Sequence, residues 1–182
     1  MSPLAGPVFA VAGVMGVAGV LKLAHPAQTG RALGAAALPG TELTVRFVAI
    51  TEIIVATSVI AFGNALTAAL VSALYAAFAL FSIRVMRRTD NTVGCGCFGE
   101  TAGVEPIGWV HVAMNLAAAS LCAAAVAWPT GSLLEVVGDQ PLAGSVFMVL
   151  TALCGWLWYL ILTMLPGLLG PDRWPASTAA RA

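Results

Sequence analysis

The chain has 182 residues, of which 60% are hydrophobic and only 9% charged, and its formal net charge is zero. A soluble domain carries about 25% charged and about 45–50% apolar residues, so a mean hydropathy of +0.95 excludes a soluble fold and indicates an integral membrane protein. The eight basic residues form no stripe that could neutralise phosphates, which excludes nucleic acid as a partner.

Five apolar segments follow in chain order, at about residues 7–24, 43–62, 65–85, 107–128 and 142–165. Each is close to the roughly 20 residues that a bilayer crossing needs. Helices are required, because lipid cannot satisfy an open sheet edge and these runs are too long and evenly apolar for barrel strands. The first segment has no basic residue before Lys22 and is long for a signal sequence, so it reads as a retained span. Its Gly13, Gly16 and Gly19 suit close helix packing. The connection HPAQTGRALGAAALPG is long enough for a short interfacial helix, with an irregular loop as the alternative. Gly63-Asn64 makes a tight turn between spans two and three, Pro106 opens span four, and Pro141 and Pro166-Gly167 bracket span five. Trp109 and Trp128 stand at the two ends of span four, as interfacial anchors do. The expected architecture is an all-α membrane protein, a compact five-helix bundle forming a single domain over residues 1–170, with a disordered tail over 171–182.

The basic residues set an expected orientation. Lys22, Arg31 and Arg46 flank the first connection, Arg84, Arg87 and Arg88 the third, and Arg173 and Arg181 lie in the tail. The remaining connections have none. The N-terminus is therefore expected outside and the C-terminus in the cytoplasm, in the plasma (inner) membrane. The stretch NTVGCGCFGE between spans three and four then faces the cytoplasm.

That stretch holds Cys95 and Cys97, separated by Gly96 and flanked by Gly94 and Gly99. A disulfide between them would close a small, strained ring of the labile, oxidising kind, and as thiols they could attack and resolve a partner disulfide. Two thiolates also suit Cu(I) or Zn, although no second ligand pair lies nearby. A glycine-rich loop that merely contains thiols is the third reading, and the alternative function is then a structural or assembly subunit of a membrane complex, which needs only its helix surfaces. His111, Asn115, Ala118 and Cys122 share one helical stripe that starts beside this loop. His111 lies roughly 6 Å into span four. It could exchange the proton that thiol chemistry moves, or simply face the headgroups. Asn115 is expected to bond to a neighbouring helix.

Glu52 stands near the middle of span two and must be neutral or paired there. Lys22 can be its partner if the stem reaches inward. A proton-handling role and a structural interhelical bond both remain open. Cys122 and Cys154, in spans four and five, read first as small buried hydrophobes and second as a further thiol pair. The cluster GWLWY at 155–159 could stack a quinone ring, but bulky helix packing predicts the same letters.

The segment GVLKLAHPAQTGRAL, the acid in VAITEIIVA, the loop GCGCFG and the asparagine in IGWVHVAMNLAAA together resemble the MauE family of methylamine-utilisation membrane proteins, itself related to DoxX-like helical bundles. The resemblance covers roughly residues 8–128, and GCGCFG ahead of a tryptophan-bearing helix is its most specific part. It implies a helical-bundle protein tied to thiol–disulfide traffic, a thioredoxin-like partner, and maturation of a disulfide-rich exported methylamine dehydrogenase subunit. By match it makes Cys95 and Cys97 the redox pair and Lys22, Glu52 and Asn115 the shared intramembrane polar positions. The chain departs from the family in having no thioredoxin-like domain of its own within these residues. Its charge pattern also puts the cysteines inside while the clients lie outside, which points to transfer of reducing equivalents across the membrane or to cytoplasmic exchange.

Overall fold

The computed structural model describes residues 2–89, 107–138 and 141–168. Cys95, Cys97, Pro106 and the tail expected to be disordered lie outside these residues. Seven helices are described: α1 (Ala5–Ala24), α2 (Pro26–Ala35), α3 (Glu42–Phe62), α4 (Ala65–Thr89), α5 (Trp109–Ala127), α6 (Leu133–Gly138) and α7 (Pro141–Leu168). Of these, α1, α3, α4, α5 and α7 are long and apolar enough to cross a membrane.

Local chemistry sets the boundaries. Pro26 disfavours helix at His25, so α1 stops at Ala24 and α2 restarts with proline in its first turn. The Thr41 hydroxyl accepts the Thr44 N–H at 3.2 Å and starts α3. Gly63 ends α3 in the left-handed region, with φ +53°. A side chain there would overlap the Gly131 carbonyl. The N–H groups of Thr130 and Gly131 both donate to the Gly63 carbonyl, at 3.1 and 3.2 Å, which pins the α3–α4 turn onto the chain leaving α5.

Two elements differ from the sequence expectations. The fourth connection contains α6, capped reciprocally: Ser132 Oγ accepts the Glu135 N–H at 3.1 Å, and Glu135 Oε2 accepts the Ser132 N–H at 2.8 Å. Pro166 does not close α7, which runs on to Leu168. The connection after α1 takes its helical alternative, and α2 turns Thr29, Ala32 and Leu33 inward.

The bundle is built around α1, which packs against α3, α7, α5 and α2, while α4 packs chiefly on α5. Small residues set the α1–α3 distance. A Cβ on Gly19 would stand 2.8 Å from the Ala49 carbonyl oxygen and 2.8 Å from Ile53, and one on Gly16 would stand 3.5 Å from Ala56. These pairings make α1 and α3 antiparallel. Gly13 plays no such part, since a Cβ there would meet nothing within 4 Å. It faces an open cleft instead. The core joins Val8, Val11, Met15, Val59, Val71, Tyr75, Ala118 and Cys122. The outside is as apolar as the inside: Leu43, Phe47, Ile54, Leu66, Leu80 and Val149 are all exposed. Such a belt suits hydrocarbon rather than water. Trp109 and Trp128 are exposed at opposite ends of α5, where anchors belong.

Candidate functional site

The antiparallel order of α1, α3, α4 and α5 brings the C-terminal ends of α1 and α4 together with the N-terminal ends of α3 and α5. Ala36, Val85 and Ile107 form a small apolar cluster at this end, and Arg84 Nε donates to the Ala36 carbonyl at 2.7 Å. The chain therefore leaves α4 at Thr89 and returns at Ile107 on the same end of the bundle. The intervening segment carries Cys95 and Cys97.

Below this end the bundle buries a small group of polar side chains. Lys22 and Glu52 form a buried ion pair, Nζ to Oε1, between α1 and α3. Glu52 stands ten residues into α3, roughly 15 Å along its axis, and is wholly buried. Lys22 sits near the end of α1 and bends its stem inward, which the close approach at Gly19 permits. The lysine ammonium also lies over the Phe78 ring of α4, 5.1 Å from its centroid. A cation over an aromatic face in a desolvated setting is worth about 2 kcal/mol. The second carboxyl oxygen of Glu52, Oε2, is buried without a hydrogen-bond partner among the described residues.

Tyr75 is a member of this group that the sequence reading missed. Its hydroxyl donates to the Val11 carbonyl of α1 at 2.7 Å, and its ring meets Phe78 edge-on at 6.2 Å. Tyr75 thus ties α4 to α1, and Phe78 passes that tie to Lys22. A tyrosine within an apolar span is a usable signal, because its hydroxyl must find a partner there.

The stripe on α5 is the buried face of that helix: His111, Asn115, Ala118 and Cys122 all point inward. His111 does not face the headgroups. Its Nδ1 accepts the Gly108 N–H at 3.3 Å, satisfying one free donor at the start of α5. With Nδ1 accepting, a neutral ring carries its proton on Nε2. Asn115 corrects an expectation. Its amide donates to the His111 carbonyl of its own helix at 2.8 Å rather than to a neighbouring helix, because the carbonyl one turn back is already in reach.

Cys122 and Cys154 do not form a second thiol pair. Both are free; Cys122 is packed in the core with Tyr75, and Cys154 is exposed on α7. Helix phase separates them, since the side of α7 that carries Cys154 faces away from the bundle. The GWLWY cluster divides likewise. Trp158 and Tyr159 pack against Val14, Ala18 and Leu162, whereas Trp156 is exposed; Trp156 and Tyr159 line a cleft between α1 and α7, with ring centroids 5.7 Å apart. Among the described residues no group of three or more His, Cys, Asp or Glu side chains could hold a metal ion.

Comparison with protein-family models gives a match over most of the chain. The family model described as methylamine utilisation protein MauE matches residues 3–129, which takes in α1 to α5 and every polar residue of this site. No curated protein and no solved structure matches the chain.

Proposed function

The chain belongs to the MauE family, and from that premise we propose that it is a membrane-embedded thiol–disulfide redox protein whose working thiols are Cys95 and Cys97. One observation carries the reading: the buried polar residues Lys22, His111 and Asn115 lie in the half of the bundle where the cysteine-bearing segment leaves and rejoins the helices, and Lys22 pairs there with Glu52 at mid-span. A structural scaffold has no need to gather costly polar groups at that end.

The chemistry is a two-step exchange. One thiolate attacks a sulfur of the partner's disulfide, forming a mixed disulfide and releasing one partner thiolate. The other cysteine then attacks its neighbour's sulfur, closing the Cys95–Cys97 bond and releasing the second partner thiolate. The pair is oxidised by two electrons, the partner is reduced, and two protons pass from one side to the other. The Nε2 proton of His111 is suited to steady a thiolate, and the free oxygen of Glu52 is suited to accept a proton. A thioredoxin-like protein is the fitting partner, in support of a disulfide-rich exported client of the methylamine dehydrogenase kind. The bundle over residues 1–170 acts as one domain in the inner membrane, with the cysteines on the cytoplasmic side.

Single Cys95→Ser and Cys97→Ser variants in native membranes test the reading. Loss of the resolving cysteine is expected to trap a covalent complex that reductant releases on a gel, and loss of the attacking cysteine to trap nothing. Alkylation is expected to find the pair partly oxidised. Two thiols that stay reduced under oxidising growth, with neither variant capturing a partner, would overturn it.

A further inference from the structure

We propose that the corner where the end of α2 meets the last turns of α4 is a headgroup site for an anionic phospholipid, with Arg84, Arg87 and Arg88 as the phosphate donors. Arg84 is held in place by the fold. Its Nε donates to the carbonyl of Ala36, the C-cap of α2, at 2.7 Å, where a cation also suits the negative end of the helix dipole. A guanidinium carries several further N–H donors in a fixed fork, and that of Arg84 is exposed. Arg87 and Arg88 are exposed as well, three and four residues further along α4. At that spacing their Cβ atoms lie about 5–6 Å from that of Arg84, on the same side of the helix.

Charge at this end of the bundle is unbalanced. Lys22 pairs with Glu52 and Arg46 with Glu42, whereas Arg31, Arg84, Arg87 and Arg88 have no carboxylate partner among the described residues. Arginine forks bind phosphate oxygens two at a time. A zwitterionic lipid brings its own cation to such a site, while an anionic one relieves the excess.

Depth selects lipid as the source of that phosphate. From Trp109 to Trp128 the rise along α5 is roughly 28 Å, close to the roughly 30 Å of bilayer hydrocarbon. Both tryptophans are exposed, as markers of the two interfaces. Helix α4 begins at the Trp128 end, because the Gly63 carbonyl accepts from Thr130. It has 25 residues, so from Ala65 to Arg88 it rises roughly 34 Å. Arg84 therefore reaches the hydrocarbon boundary, and Arg87 and Arg88 lie roughly 5 Å beyond it, within the headgroup layer. Lipid phosphates occupy that layer, and a peripheral protein stays outside it.

The test is native mass spectrometry of the full chain in a neutral detergent, titrated with phosphatidylglycerol or with phosphatidylcholine of the same acyl chains. One saturable phosphatidylglycerol is expected, held at least about tenfold tighter than phosphatidylcholine. Arg87→Gln/Arg88→Gln is expected to weaken it about twentyfold, at about fivefold for each arginine near the headgroups, and to erase the preference. Arg84→Lys keeps the charge but loses the fork, and is expected to weaken it about fivefold. Glu42→Gln/Arg46→Gln removes a paired cation at the same end and is expected to leave affinity within about twofold. Equal affinity for the two lipids, or unchanged affinity in Arg87→Gln/Arg88→Gln, would overturn the site. Displacement of the lipid by inorganic phosphate would reassign it to free phosphate. A double variant that keeps its lipid but no longer captures the redox partner would reassign it to an acidic protein surface. Either reassignment overturns the lipid site. The readout involves no thiol chemistry, so its failure leaves the redox reading standing, and the reverse.

Discussion

Replacing Lys22 by methionine isolates what the buried ion pair contributes. The substitution keeps most of the stem but leaves Glu52, whose Oε2 already lacks a partner, with no partner for either oxygen among the described residues. Removing one member of a buried pair costs about 3–5 kcal/mol, because the remaining charge is neither solvated nor compensated. Glu52→Gln strands the lysine ammonium on Phe78 and is expected to cost about 3 kcal/mol. The double variant Lys22→Met/Glu52→Met removes both charges and is expected to return within about 1 kcal/mol of the parent, since an apolar pair of similar volume often replaces a buried ion pair without loss. The assay is reversible unfolding by denaturing detergent in mixed micelles, fitted as a double-mutant cycle. An ordinary interhelical hydrogen bond in a bilayer averages about 0.6 kcal/mol, which sets the scale for refutation. If Lys22→Met costs less than about 1 kcal/mol, or if the double variant loses the sum of the single changes, the pair is not a desolvated ion pair and the reasoning fails.

Gly19→Val places a branched side chain where a Cβ already stands 2.8 Å from the Ala49 oxygen, and is expected to cost about 1–3 kcal/mol as overpacking in the same unfolding assay. It should also separate Lys22 from Glu52, so adding Lys22→Met to it is expected to cost less than in the parent. Impermeant maleimide on intact cells is expected to label a cysteine placed at Glu135 and to miss one placed at Arg88; the reverse would invert the proposed orientation. The Glu135 carboxyl is held below its ordinary value, first by the Ser132 backbone N–H and then by the Ser132 hydroxyl. Its contribution to stability is therefore present above the unfolded carboxyl's pKa and is lost as pH falls through the lower folded one. Glu135→Gln is expected to flatten stability across that acidic window, while an unchanged acid limb would show that the cap contributes nothing.

The five spans were legible in the sequence because a bilayer demands long uninterrupted apolar runs, and the observed helices start and stop within a few residues of the expected limits. The buried face of α5 was legible too, since His111, Asn115 and Cys122 repeat at helical spacing. A signal for α6 was present at Ser132 and Glu135, a serine followed three residues later by a glutamate, but a short connection gives no periodicity to draw attention to it. The cost of Glu52 in hydrocarbon required a partner and Lys22 was the candidate in the sequence, but only the packing of α1 on α3 brings the two together. Which glycines pack and which open a cleft was a matter of helix phase: Gly19 meets α3, whereas Gly13 meets no neighbouring atom. The same phase sends Cys122 inward and Cys154 outward, and joins Tyr75 to Val11 across 64 positions of chain. Composition and periodicity describe each helix against its solvent. The rotation of one helix against another decides which polar groups meet, and that depends on contacts summed over the whole bundle.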